Sequence, residues 1–178
     1  MEKKNESGIA RIVLIGAEST GKSTLTAHLA EKLGIPAIQE YARHYIEALA
    51  GHYTEEDVMH IAKWQMNEET KYLECRKLYI ADTDVLITQI WLEQKYGTQC
   101  PEIESWILKQ QKHSLYLLCI PDLEWVLDHV RENGGENRMK LHHIYLQRLK
   151  LYNLRFEEVG GHGESRFAKA YEIIKKII

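Results

Sequence analysis

The sequence has few cysteines and no segment with the features of a membrane span. Its three cysteines, Cys75, Cys100 and Cys119, are scattered and form neither a CxxC pair nor a zinc-binding spacing. This usage argues against a disulfide framework and favours a reducing, cytoplasmic location. No apolar run approaches the length of a membrane helix and no signal peptide opens the chain, so a membrane partner is not expected.

Positive charge is not concentrated anywhere in the chain. The 178 residues include 23 Lys and Arg against 26 Asp and Glu, a net charge of −3, and they form no basic stripe or tail. A nucleic-acid partner is therefore not expected. Internal repeats, low-complexity segments and linkers are also missing from the sequence. This predicts a single domain over residues 9–178, preceded by a disordered N-terminus of residues 1–8, and leaves the oligomeric state open.

The most informative stretch is a glycine-containing turn between a predicted strand and a predicted helix. It matches G-x-x-x-x-G-K-[ST] with one further threonine, and its residues are Gly16, Ala17, Glu18, Ser19, Thr20, Gly21, Lys22, Ser23 and Thr24. In this context, backbone N–H groups and the positive end of the helix dipole bind nucleotide phosphates. Lys22 is expected to reach the β- and γ-phosphates, and Ser23 to ligate Mg²⁺. The motif predicts Mg²⁺ and a nucleoside triphosphate, ATP or GTP.

Alternating strand and helix signals predict an α/β fold. Short apolar runs predict five strands, at residues 12–15, 37–39, 78–81, 115–120 and 154–159, with helical periodicity between them. The expected architecture is a P-loop NTPase or nucleoside-kinase-like fold, with a five-stranded parallel sheet and helices on both faces. The polar stretch 131–138, around Gly134 and Gly135, is expected to form a short mobile lid.

Carboxylates follow three of the five predicted strands, at the edge where parallel sheets bind ligands. They are Glu40, Asp82 with Asp84, and Asp122 with Asp128. Asp82 lies where P-loop proteins place the acid that holds Mg²⁺, although Asp82 or Asp84 would also serve as a helix N-cap. Glu40 is a candidate general base for a substrate hydroxyl, with a solvated loop acid as the alternative.

Two arginines and two aromatic residues are further candidates. Arg131 and Arg138 belong to the predicted lid, where arginines neutralise charge on a transferred phosphoryl group; a solvated surface loop is the alternative. Most aromatic side chains are expected in the core. Tyr45 and Trp125 lie nearest to predicted strand ends, however, and are candidates to stack on a flat ring.

Several motifs occur together in this one chain. They are G-A-E-S-T-G-K-S-T at 16–24, E-Y-A-R at 40–43, D-T-D at 82–84, W-L-E-Q-K-Y-G at 91–97, P-D-L-E-W at 121–125 and D-H-V-R-E-N at 128–133. From about Arg11 onward, the set resembles the ribosylnicotinamide (nicotinamide riboside) kinase domain of NadR-type proteins. The P-loop alone is shared by many NTPases, whereas E-Y-A-R combined with P-D-x-x-W-x-x-D-x-x-R is far more specific.

The resemblance implies a kinase that uses Mg·ATP to phosphorylate the 5′-hydroxyl of nicotinamide riboside, giving nicotinamide mononucleotide. Carried onto this sequence, it implies that the catalytic residues are Lys22, Glu40, Arg131 and Arg138, and the metal ligands Ser23 and Asp82. The implied substrate-binding residues are Tyr41, Arg43, Tyr45, Asp84, Trp91, Asp122, Trp125 and Asp128. NadR-type proteins often carry an adenylyltransferase domain or a helix-turn-helix; neither has a counterpart in this sequence, so those activities are not expected.

Two alternatives remain beside this interpretation. One is a kinase for another nucleoside or a vitamin alcohol. The other is an ATPase or nucleotide-binding module without an acceptor. The sequence lacks the guanine-reading motif N-K-x-D, which argues against a GTPase switch, and the acidic strand ends suit transfer to a hydroxyl group better than transfer to water.

Overall fold

Five parallel strands form the central sheet in the part of the chain that the structure describes. This computed structural model describes residues 8–50, 52–75, 77–126 and 135–178. The strands are β1 (Arg11–Ile15), β2 (Ala37–Ile38), β3 (Tyr79–Asp82), β4 (Ser114–Cys119) and β5 (Arg155–Val159), in the order β2-β3-β1-β4-β5. All neighbouring pairs run parallel, which confirms the predicted sheet. Except for Gly8, the predicted disordered N-terminus lies outside the described residues.

Helices cover both faces of this sheet. They are α1 (Lys22–Leu33), α2 (Tyr41–Ala48), α3 (Glu55–Glu74), α4 (Val85–Tyr96), α5 (Pro101–Gln110), α6 (Glu136–Leu151) and α7 (Gly163–Lys175). Side chains of β1 alternate between the faces: Val13 and Ile15 pack with α3, α4 and α6, whereas Ile12 and Leu14 pack with α1 and α7. Within the described ranges, no helix combines the length and the apolar character needed to span a membrane.

Local sequence signals set the helix ends. Thr54 and Asp57 form a reciprocal capping box at the start of α3, as the sequence predicts. Gly34 ends α1 and Gly97 ends α4, both in the left-handed conformation that glycine adopts without strain. Pro101 opens α5. The observed strand boundaries also agree with the predicted ones to within one residue.

The strand order places the P-loop at the point where the chain changes from adding strands on one side of β1 to adding them on the other. From β1 the chain crosses to β2 at the edge, returns through β3 beside β1, and continues with β4 on the opposite side of β1. In doubly wound sheets, ligands bind outside the carboxyl ends of the strands at this point. The residues that follow β1, β3 and β4 therefore surround the expected site.

Candidate active site

The turn between β1 and α1 has the backbone shape of a phosphate-binding loop. Gly16 lies close to β4, and a Cβ atom on it would come within 2.8 Å of the Cys119 carbonyl oxygen. Ser19 and Gly21 have positive φ angles of 55° and 74°, so the backbone curls and can present successive N–H groups to one side. Lys22 then begins α1, whose positive dipole end adds to the attraction for an anion.

The side chain of Lys22 folds back over this loop. Its Nζ donates to the carbonyl oxygens of Gly16 at 3.0 Å and Ala17 at 3.1 Å. A phosphate group would offer charged oxygens in place of these neutral carbonyls, and hydrogen bonds between two charged groups are the stronger ones. The pose therefore suits a lysine that exchanges its carbonyl partners for phosphate oxygens when a nucleotide binds.

Asp82, the last residue of β3, is a fully buried carboxylate. Within the described chain, neither of its carboxylate oxygens has a hydrogen-bond partner. Burial raises the pKa of Asp82, and Glu40 adds to the rise, whereas the neighbouring Lys22 and Ser23 oppose it. A buried carboxylate with so few donors is costly unless a cation shares the site. This environment fits the predicted role of Asp82 as a magnesium ligand.

The surroundings of Asp82 suit Mg²⁺ in particular when a nucleotide is present. In nucleotide sites, Mg²⁺ is bound through one or two protein ligands together with phosphate oxygens. Among the described residues, no group of three or more His, Cys, Asp or Glu side chains is arranged to hold a metal. The protein would therefore supply Asp82 and the Ser23 hydroxyl, and the nucleotide phosphates would complete the coordination.

A cavity of about 430 Å³ opens beside the P-loop. Its charged lining residues are Glu18, Lys22, Glu40, Arg43, Asp82, Asp84 and Lys95. Aromatic and aliphatic side chains make up much of the remaining wall, among them Tyr41, Tyr53, Ile61, Ile87, Trp91, Leu141 and Tyr145. Cavities of this size and composition bind small organic ligands. The P-loop thus adjoins a space large enough for a second reactant.

Two predicted substrate-binding aromatic residues, Trp91 and Tyr41, line this cavity. The indole N–H of Trp91 donates to the Tyr53 hydroxyl at 3.2 Å, and the two ring centroids are 4.9 Å apart. Tyr41 stacks on Trp64 with a centroid distance of 4.1 Å and an interplanar angle of 13°. Because both rings are already held in place, a flat ligand could stack on them with little further loss of side-chain entropy.

Tyr45, by contrast, is not among the residues that line the cavity. Its hydroxyl donates to Asp57 at 2.9 Å, and its ring stacks on His60 with a centroid distance of 4.9 Å. The side chain therefore joins α2 to α3. This placement puts Tyr45 outside the cavity lining, and its contact with a substrate stays a prediction.

Asp84 belongs to a buried ion network at the border of the cavity. One carboxylate oxygen accepts from the Leu86 N–H at 3.0 Å and caps α4. The other accepts from the Tyr116 hydroxyl at 2.7 Å and from Arg11, which also pairs with Glu69. Arg11, Glu69 and Asp84 are at most 1% exposed. Asp84 borders the cavity and its carboxylate accepts from these donors, so its contact with a substrate stays a prediction.

Asp122 and Trp125 follow β4 as predicted, but neither lines the cavity, and their contact with a substrate stays a prediction. The Asp122 carboxylate pairs with Arg166 at 2.6 Å and accepts from the Gly161 N–H at 2.6 Å. Although burial opposes the shift, these donors hold the pKa of Asp122 below its usual value. The physical reason for the difference is topological, because β4 and β3 lie on opposite sides of β1 and the cavity is built around the end of β3 and α4.

The predicted lid falls mainly outside the described residues, which include neither Asp128 nor Arg131. Arg138 is within them, but it lies in the first turn of α6 instead of a loop and is only 7% exposed. Its guanidinium donates to three carbonyl oxygens, those of Glu18 (3.1 Å), Ser19 (3.0 Å) and Leu123 (2.9 Å). This corrects the placement of Arg138 in a mobile loop, while its catalytic role stays a prediction.

An Arg138→Ala variant tests that role. If the guanidinium moves from the P-loop carbonyls to the transferred phosphoryl group, kcat should fall by about 100-fold to 1000-fold, which exceeds the rise in the Kd of ATP that loss of the carbonyl bonds would cause. Steady-state kinetics and calorimetric ATP binding would separate the two effects. A higher Kd of ATP with an unchanged kcat would mean that Arg138 only braces the loop.

Sequence reasoning missed several cavity residues, notably Tyr53, Gln65, Lys95 and Tyr145. Helical spacing would have found Lys95, which follows Trp91 by four residues on the same face of α4. Its Nζ lies 3.8 Å from the centroid of the Tyr53 ring. No local pattern marks Tyr53 or Gln65, since each reaches the cavity through the packing of distant elements.

The fold, the phosphate-binding loop and the acid at the end of β3 together define a P-loop kinase fold. The chain belongs to the AAA domain family, whose sequence profile matches residues 11–166. Among curated proteins it is similar to the trifunctional NAD biosynthesis/regulator protein NadR of Salmonella typhimurium and of Escherichia coli, with 25% identity over 179 residues in each case. The similarity covers 96% of this chain but 43% of each relative, and it confirms the resemblance to NadR-type proteins.

Solved structures show the same fold. The crystal structure of NadR protein in complex with NR has a TM-score of 0.66 and 18% identity, and the match covers 95% of this chain and 51% of that one. Deoxyadenosine kinase from M. mycoides, with products bound, also has a TM-score of 0.66, at 14% identity and 94% and 100% coverage. Shikimate kinase from Acinetobacter baumannii, in complex with shikimate, has a TM-score of 0.55, 20% identity, and coverage of 96% and 94%.

Proposed function

We propose that this protein transfers the γ-phosphoryl group of Mg·ATP to a hydroxyl group of a small ribonucleoside, and that the acceptor is the 5′-hydroxyl of nicotinamide riboside. The observation that carries the proposal is the cavity of about 430 Å³ that Gly16 and Lys22 of the P-loop share with Asp82 and Trp91. A hydrolase needs room for one water molecule. A cavity that combines carboxylates with ordered aromatic rings is better suited to an acceptor molecule.

The proposed roles follow from the positions of the side chains. The P-loop N–H groups and Lys22 would bind the phosphates, and Asp82 with Ser23 would hold Mg²⁺, which would neutralise charge on the phosphoryl oxygens. Glu40 and Asp82 line the same cavity, and the charge of Glu40 contributes to the raised pKa of Asp82. Glu40 would accept the proton of the acceptor hydroxyl as that oxygen attacks. Bringing acceptor and donor together in one cavity would supply much of the rate enhancement.

The aromatic residues suggest how a flat base would be bound. Nicotinamide riboside carries a positively charged pyridinium ring, and aromatic faces attract such cations. Trp91 and Tyr41 present ordered rings in the cavity. The carboxylates supply less of this selectivity than the sequence predicts, because Asp84 is paired with Arg11 and Asp122 with Arg166. Base selection would therefore depend mainly on stacking.

The similar proteins support this choice of acceptor. The curated relatives are named for NAD biosynthesis, and NadR has been solved with NR and with NAD together with AMP-PNP. The other two neighbours are kinases that act on small molecules with hydroxyl groups, by their names a deoxynucleoside and shikimate. An ATPase without an acceptor remains the second candidate, because the AAA domain family is defined by its P-loop domain and not by an acceptor.

A comparison of acceptors tests the proposal. Under the same Mg·ATP, kcat/KM for nicotinamide riboside should exceed the values for uridine, cytidine, adenosine and thymidine by about 2-fold to 30-fold, the range of a cation–π contact. The 5′-deoxy analogue should give no product. ATP turnover without an acceptor should be slow, and fast acceptor-independent turnover would favour the ATPase.

Variants of two tryptophans would show whether the ring of Trp91 provides the selectivity for nicotinamide riboside. Trp91→Leu should reduce the advantage of nicotinamide riboside over the neutral nucleosides, because it removes a ring that lines the cavity. Trp106→Leu removes a half-buried ring of α5 that packs on the core and should leave the ratio unchanged. A better rate with any neutral nucleoside would reject nicotinamide riboside and keep the broader class of nucleoside kinase.

A further inference from the structure

Hydrogen bonds, most of them from side chains, hold the carbonyl groups along the P-loop. From Gly16 to Gly21, every carbonyl oxygen accepts a hydrogen bond: Gly16 and Ala17 from Lys22, Ala17 also from the Thr20 hydroxyl, Glu18 and Ser19 from Arg138, Thr20 from Arg166, and Gly21 from the N–H of Leu25. Because a peptide group is planar and trans, its N–H points opposite to its carbonyl. Fixing the carbonyls therefore also fixes the direction of the N–H groups.

One of these donors, Arg166, comes from outside the P-loop and from outside the cavity. It lies in the first turn of α7, 146 residues from Thr20, and is 4% exposed. Its guanidinium donates to the carbonyl oxygens of Thr20 at 2.8 Å, Ile120 at 3.1 Å and Gly161 at 3.0 Å. It also pairs with Asp122 at 2.6 Å. A single side chain thus ties the P-loop to the ends of β4 and β5.

The peptide group between Thr20 and Gly21 depends on such a hydrogen bond for its orientation. Gly21 has a φ angle of 74°, and glycine adopts positive and negative φ almost equally well. The backbone itself therefore places little restriction on the rotation of this peptide. Rotation would turn the Gly21 N–H away from the phosphates and the Thr20 carbonyl toward them, replacing an attraction for an anion by a repulsion.

We propose that Arg166 is a positioning residue that sets the affinity for the nucleotide by holding the Thr20 carbonyl, so that the Gly21 N–H points into the phosphate site. This inference rests on the proposed function, because it requires a bound nucleotide. It assigns Arg166 no contact with the nucleotide or the acceptor. Its effect should therefore be confined to nucleotide binding, with the acceptor cavity undisturbed.

Two substitutions at this position test the proposal. Arg166→Gln removes the guanidinium, and Arg166→Lys keeps the charge but cannot reproduce the planar fork of donors. Both should raise the Kd of Mg·ATP, measured by calorimetry, by about 10-fold or more, and both should raise the KM of ATP in parallel. The KM of the acceptor at saturating ATP should stay within about twofold of the wild-type value.

Matched controls separate positioning from a general loss of stability. Arg148→Gln breaks another partly buried ion pair, Arg148 with Glu93, that does not touch the P-loop. It should lower the thermal unfolding temperature without changing the Kd of Mg·ATP. Asp122→Asn should also bind ATP normally, because its amide oxygen can still accept from Arg166 while the bond to Thr20 remains.

The results distinguish this inference from the proposed function. Unchanged ATP affinity in folded Arg166→Lys would overturn the positioning role, and so would an equal rise in the KM of ATP and of the acceptor. If Arg166→Gln does not fold, Arg166→Lys decides the question alone. If the wild-type chain itself fails to bind Mg·ATP, the proposed function fails first, and the positioning role fails with it.

Discussion

Lys22→Ala is expected to lower phosphoryl transfer by on the order of 1000-fold and to leave the fold intact. The activity should fall because the ammonium group is the proposed partner of the β- and γ-phosphates. The fold should survive because the side chain is only partly buried and its Nζ donates to the carbonyl oxygens of Gly16 and Ala17. Loss of these two bonds should lower the free energy of unfolding by about 1–3 kcal/mol, which a domain of this size can tolerate.

Circular dichroism would report the fold of this variant, and formation of the phosphorylated nucleoside would report its activity. Lys109→Ala provides a control, because Lys109 is an exposed residue at the end of α5, away from the cavity. It should match the wild type in both measurements. Near-normal turnover by folded Lys22→Ala would remove the basis for assigning the P-loop to phosphate binding.

Asp82→Asn is expected to abolish most of the activity and, in the absence of ligands, to stabilise the protein. Burial raises the pKa of Asp82, so the folded protein holds this proton more tightly than the unfolded chain does. As the pH rises from the usual carboxylate range through the raised pKa, folding loses stability, because a charged group must remain buried. Asparagine avoids that cost. At neutral pH, the unfolding temperature should therefore rise by about 2–4 °C, the shift produced by roughly 1 kcal/mol in a domain of this size.

Thermal unfolding between pH 5 and pH 8 would measure this difference, which should shrink toward the acidic end. Asp84→Asn is the matched control, and its expected effect on the free energy of unfolding has the opposite sign. It leaves Arg11 buried without one of its partners and should destabilise the fold by about 3–5 kcal/mol. If Asp82→Asn destabilises the protein as Asp84→Asn does, or if its Mg²⁺ titration of activity overlays the wild type, Asp82 has a structural role and not a metal-binding one.

The residues that are correctly predicted from the sequence are those whose position follows from their own neighbours in the chain. The strand Arg11–Ile15 and the glycine pattern after it determine the shape of the P-loop. The short run before Asp82 brings that carboxylate to the end of β3. Trp91 reaches the cavity because α4 starts directly after this strand. In each case hydrophobic periodicity is sufficient to place the side chain.

Two of the predicted substrate-binding carboxylates have partners that are distant in the sequence and that the sequence does not reveal. Asp84 and Asp122 both follow strands, as ligand-binding carboxylates do. Each of them, however, forms an ion pair with an arginine. Arg11 lies inside the apolar strand β1, and Arg166 lies on the last helix. Strand periodicity predicts which segments form strands, but it does not predict on which side of β1 each strand lies. It therefore cannot show that the end of β4 is separated from the cavity beside β3.

The central position of β1 also affects the protein during its synthesis. β1 pairs with β3 and β4, and 103 residues separate Arg11 from its β4 neighbour Ser114. At about 5–20 residues per second, the ribosome needs roughly 5–20 seconds to produce them. For that time the apolar run Ile12–Ile15 has at least one open edge, which is able to pair with the same segment of another nascent chain. The strand that carries the nucleotide site is thus also exposed to misassembly, so chaperone binding early in synthesis should raise the yield of folded protein and slower translation should lower it.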